Sequence, residues 1–119
     1  MTPAAADLLQ RRPVWLALSE LFLDTDVDAR LPSLAQSLAA SGYSEAELDW
    51  ILRRELQPLL QWNLVPVAGV WEGFDPEWLE QSIIGRRRRL RLPCLFPRDD
   101  WRRLAVLIRE ERERSAAAD

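Results

Sequence analysis

The chain has 119 residues, 48% of them hydrophobic and 29% charged, with a formal net charge of −3, which is the size and make-up of one globular domain rather than of a disordered segment. It contains no histidine, no lysine and a single cysteine, Cys94. Those absences exclude Ser-His-Asp and Cys-His catalysis, His-containing zinc sites, Schiff-base and P-loop lysines, a four-cysteine metal site and an internal disulfide.

Residues 1–12 are read as a loose tail, with a helical turn over Ala4–Gln10 as the alternative, and Pro13 marks a helix start because its missing N–H costs nothing in a first turn. Val14, Leu18, Leu21 and Phe22 then recur at helical spacing with Trp15 beside them, up to a turn over Asp24–Asp28. A second helix carries Leu31, Leu34, Ala35 and Leu38, with Gly42 placed as a C-terminal cap. Ser44 and Glu47 form a capping-box pattern ahead of Leu48, Ile51 and Leu52, and Pro58 is expected to end or kink that third helix after Leu56. The stretch 59–74 is apolar without clear periodicity, either a buried irregular connector or a short extended piece. Asp75-Pro76-Glu77 opens a fourth helix bearing Leu79, Ile83 and Leu90. Pro93 and Pro97 bracket a loop around Cys94, read as a small buried hydrophobe. Asp99 is positioned to cap a last helix with Trp101, Leu104, Ala105 and Ile108 on one side. Its charged end spaces Glu110 and Arg114 for an i, i+4 pair, and residues 115–119 are read as a loose tail. The expectation is an all-α, irregular bundle of about five helices forming a single domain over residues 1–119.

Charge is segregated. Asp24, Asp26 and Asp28 follow Glu20 with no intervening base, whereas 83–103 carries eight arginines against Asp99 and Asp100, a local net charge of +6. The alternating aspartates resemble the opening of a calcium loop, but Ala29 stands where the turn needs glycine and Ala35 where it needs a bidentate glutamate. The triplet is therefore read as a solvated acidic turn, suited to an arginine-rich surface if it binds anything. No metal or other cofactor is expected. Arg86, Arg87, Arg88, Arg89 and Arg91, with Arg102 and Arg103, are candidates for anion or nucleic-acid contact. Four successive residues on a helix encircle its axis, however, so Arg86–Arg89 cannot face one groove, and protein recognition or pairing with the acidic turn of the same chain is an equal reading. Trp62, Trp71, Phe74 and Trp78 are interleaved with Glu72, Asp75, Glu77 and Glu80. Most of these rings are assigned to the core. One or two exposed ones would instead mark an acidic, aromatic surface for a basic protein partner.

Ala17 through Asp26, the helix from Ser44 to Leu56, and Asn63-Leu64 through Val67–Asp75 to Trp78-Leu79 resemble a family of small bacterial proteins classed as a domain of unknown function, over roughly residues 13–84. The resemblance implies a helical, single-domain bacterial protein and transfers no catalytic motif. Arginine to the exclusion of lysine points to a GC-rich bacterial source as well. The N-terminal residues lack the basic and apolar regions of a signal peptide. The longest apolar stretch, 58–71, is interrupted by Gln61, Asn63, Pro66 and Gly69 and falls short of the roughly 20 residues of a spanning helix. The expectation is a cytoplasmic, non-enzymatic protein with no membrane association that binds another protein in the manner of an immunity or accessory protein. Trp71, Glu72, Phe74, Trp78, Asp24, Asp26 and Asp28 are the candidate contacts. Nucleic-acid binding through Arg86–Arg103 is the alternative.

Overall fold

The apolar stripes become helices in the computed structural model, which describes residues 6–23, 27–61, 74–85 and 96–118. Helix α1 spans Leu8–Ser19 and tightens into a 3-10 turn, Glu20–Phe22. A second 3-10 turn, Asp28–Arg30, leads into α2, Leu31–Ala39. Helix α3, Glu45–Ile51, runs without a break through a π-helical turn, Leu52–Leu56, into α4, Gln57–Leu60. Then come α5, Pro76–Gly85, and α6, Arg98–Ala118. With α3–α4 taken as one rod, the described residues form five helical rods and contain no strand. The fold is all-α.

One contiguous core gathers the described residues of every predicted stripe. Val14, Trp15, Leu18, Leu21 and Phe22 of α1 and its 3-10 extension are buried with Leu48, Ile51 and Leu52 of α3–α4. Helix α2 lies along α6, so Leu31, Leu34, Ala35 and Leu38 share the core with Trp101, Leu104, Ala105 and Ile108. Leu79 and Ile83 anchor α5, and Leu90 lies outside the described residues. Each leucine fully withdrawn from water contributes about 1.5–3 kcal/mol, so these stripes, rather than helix propensity, hold the bundle together. The capping box at α3 forms as the sequence predicts: Ser44 Oγ accepts the Glu47 N–H at 3.1 Å and Glu47 Oε1 accepts the Ser44 N–H at 2.9 Å. At α5 the Asp75 carbonyl accepts the Leu79 N–H at 3.0 Å, the first bond of a helix that Pro76 opens.

Elsewhere tertiary contacts override local signals. Helix α1 begins at Leu8, not at Pro13, which lies inside it. The ring faces solvent and forfeits a single ladder bond, while the buried Arg11 side chain ties down the turn before it. Pro58 does not end the third helix. Gln57 keeps helical angles (φ −55°, ψ −48°), and the π-turn over Leu52–Leu56 puts its change of bonding register next to the residue that lacks a donor. Gly42 does not adopt the left-handed backbone of a glycine cap. The α2 terminus stays right-handed at Ala40 (φ −76°, ψ −14°), and its orphan carbonyls are met from α6 instead. Arg112 donates to Leu38 O at 3.3 Å, Ala39 O at 3.4 Å and Ser41 O at 3.5 Å, and to Tyr43 O. Asp99 sits in the first turn of α6 rather than at its cap, because Pro97 O already accepts the Trp101 N–H at 3.0 Å. Arg114 pairs with Glu111, 2.5 Å away at i, i+3, rather than with Glu110. Residues 8–12 and 115–118, read from sequence as parts of loose tails, are helical.

Candidate functional site

Of the acidic turn, Asp24 and Asp26 lie outside the described residues. Asp28 is exposed at the start of its 3-10 turn and meets a residue of the basic stretch: its Oδ1 is 2.6 Å from Arg103 Nη1, while Asp100 engages the other terminal nitrogen of Arg103. These two carboxylates, Asp100 foremost through its hydrogen bond, raise the Arg103 pKa above its ordinary value. Nearby, Glu20 pairs with Arg30 at 2.7 Å, and partial burial raises the Glu20 pKa against the opposing pull of that arginine. Asp28 of the acidic turn and Arg103 at the α6 end of the arginine stretch are therefore brought together. Arg86, Arg87, Arg88, Arg89 and Arg91 lie outside the described residues, as does Cys94, and Arg102 is exposed on α6.

The aromatic–acidic segment divides. Trp62, Trp71 and Glu72 lie outside the described residues. Phe74 is partly buried and packs on the core, and its ring stacks with Trp78 at a centroid distance of 6.3 Å and an interplanar angle of 18°. Trp78 is 45% exposed. That ring belongs to the surface, one of the exposed rings the sequence allowed for, because Leu79 and Ile83 already occupy the inward stripe of α5. At 100° per residue, Trp78 projects from one flank of α5 while Glu77, Glu80 and Ile84 share the other. Ile84 is also exposed, at 44%.

On that second flank α5 and α1 enclose a cleft of about 400 Å³. Among the described residues its walls are Trp15, Leu16, Pro76 and Leu79, with Arg12, Glu77 and Glu80 at the polar margin. Arg12 spans the margin, its Nε at 3.0 Å and Nη2 at 2.6 Å from the same oxygen, Glu80 Oε1.

Below the cleft is a buried polar chain that sequence reasoning missed. Trp15 Nε1 donates to Glu55 Oε1 at 2.9 Å, and Glu55 Oε2 lies 3.4 Å from Arg11 Nη1. The Arg11 guanidinium carbon is 5.4 Å from the centre of the Tyr43 ring, whose hydroxyl donates to Asp7 Oδ2. Burial first, then that hydrogen bond, raises the Tyr43 pKa from 10.0 to about 12. A signal for this did exist. Position 11 is four residues before Trp15 and seven before Leu18, so the inward stripe, extended upstream, lands on an arginine.

Among the described residues no three acidic or cysteine side chains are grouped to hold a metal ion, and no helix is long and apolar enough to cross a membrane. A family model described as a domain of unknown function, DUF7079, matches residues 9–116, and the chain belongs to that family. The match takes in the 13–84 stretch that carries the resemblance and continues through the arginine run to α6. No curated protein and no solved structure matches the chain.

Proposed function

We propose that this member of the DUF7079 family is a non-catalytic bacterial protein that works in the cytoplasm by docking another protein, as immunity and accessory proteins do. The observation that carries this reading is Trp78, 45% exposed and stacked on Phe74. Tryptophan at a surface supplies a large, rigid, amphipathic contact of the kind that concentrates binding energy in interfaces. Asp75 shares the flank of Trp78, Glu77 and Glu80 lie on the other flank of the same helix, and no basic residue falls between 74 and 85, which suits a partner with a basic surface. The engagement of Arg103 by Asp28 and Asp100 supports this reading over nucleic-acid binding, since a guanidinium already held by two carboxylates is less available to phosphate.

The test is affinity capture by the tagged full chain at low salt, with Trp78→Ala beside an Arg102→Ser control. A partner retained by wild type and by the control, weakened by salt and lost from Trp78→Ala, is the expected outcome. Retention of DNA or RNA that falls steeply with salt and depends on Arg102, with no Trp78-dependent protein, would sink the reading. Circular dichroism confirms that each variant is folded.

A further inference from the structure

We infer that the cleft between α1 and α5 receives a cationic side chain, an arginine or lysine, from the protein partner; this rests on the docking reading above and names what the partner inserts. The walls and the margin of the cleft ask for two chemistries at once. Trp15, Leu16, Pro76 and Leu79 offer apolar surface, against which a polar or short ligand gains little. Among the described residues the margin carries two carboxylates, Glu77 and Glu80, against one guanidinium, Arg12. Arg12 Nε and Nη2 both donate to Glu80 Oε1, so the pair is held through one carboxylate oxygen. No carboxylate–cation pair to Glu77 exists among the described residues, and Glu77 is exposed.

An arginine or lysine side chain matches both demands, because its aliphatic stem packs on apolar surface while its charged head stays at the wet rim. A purely apolar side chain would leave Glu77 unanswered, and an anion would meet two like charges for each opposite one. Within the cleft, Arg12 is a resident competitor of the incoming cation. Removing it frees Glu80, and that consequence separates a cation site from an anion site by the sign of one mutation.

The probe is a short capped peptide, acetyl-leucyl-arginyl-leucine amide, compared with the same peptide carrying citrulline, which keeps the shape of arginine and lacks its charge. Binding is followed by NMR through the Trp15 indole N–H and the Leu16 amide of the full chain. The arginine peptide is expected to move both resonances, with the citrulline peptide and the Glu77→Gln variant each weaker by roughly two- to fivefold, the range of one partly exposed ion pair. Arg12→Ala is expected to tighten binding by a similar factor. Equal binding of arginine and citrulline peptides, weaker binding in Arg12→Ala, or no movement of the cleft resonances up to the solubility limit overturns the inference. Loss of the cleft site with Trp78-dependent capture intact would leave the docking function standing. Failure of both would remove the docking function as well.

Discussion

Arg11 Nη1 lies 3.4 Å from Glu55 Oε2 with 0% and 8% of the two side chains exposed, an ion pair enclosed between α1 and the π-turn. Both side chains are withdrawn from bulk solvent, so each charge depends on the other and on the polar groups around it. Glu55 also accepts the Trp15 indole N–H at 2.9 Å. The pair therefore sets where α1 sits against α3–α4, and with it the Trp15 wall of the cleft.

Truncating either partner should be costly and removing both should not. Arg11→Met or Glu55→Met alone strands a buried charge and is expected to destabilise by about 3–5 kcal/mol, whereas Arg11→Met with Glu55→Met should recover most of that loss. Urea denaturation of the four proteins checks it. A double variant as unstable as the sum of the singles would contradict the account.

Tyr43 is the chain's one tyrosine, so its titration can be read without overlap by absorbance near 295 nm. Its pKa is raised to about 12, which means the fold favours the neutral phenol. Between the unfolded value near 10 and the folded value, the unfolded chain binds fewer protons than the native one, so stability falls as pH rises through that window and is fully present below it. The expected midpoint is about 12 in buffer, returning to near 10 in denaturing urea. Tyr43→Phe should lose this component of the alkaline pH dependence.

Arg112 closes the C-terminal end of α2 from another helix. Arg112→Ala is expected to cost about 1–3 kcal/mol, since several carbonyls lose a charged donor. Arg112→Lys should recover less than half of this, because a single ammonium cannot span the same set of acceptors. Denaturation gives the totals, and hydrogen exchange at residues 38–43 locates the loss.

The Asp28–Arg103 contact is short, at 2.6 Å, but its side chains are 53% and 51% exposed. Asp28→Asn is therefore expected to change stability by less than about 1 kcal/mol, and the coupling in a double-mutant cycle with Arg103→Gln should shrink further in high salt. A coupling that survives high salt would show that the pair is better shielded than its exposure indicates.

Features that depend on neighbours a few positions away are legible in the sequence. The stripes Leu31–Leu34–Ala35–Leu38 and Trp101–Leu104–Ala105–Ile108, the Ser44/Glu47 capping box and the start of α5 at Pro76 are consequences of helical spacing and local hydrogen bonding, and each is found where the pattern places it. The absence of histidine and lysine is equally legible, and it removes the acid–base and nucleophilic groups that those side chains supply. The rest follows from packing, because the partners involved are far apart in the chain. Arg112 reaches across from α6 to cap α2 where Gly42 does not, Glu55 buries Arg11 in a stretch that reads as a loose tail, and Arg103 finds Asp28. Trp78 is at the surface because Leu79 and Ile83 already fill the inward stripe of α5. A side chain's type states what it can bind, but whether that partner is water, a backbone carbonyl or another protein depends on what the fold brings within about 3 Å of it.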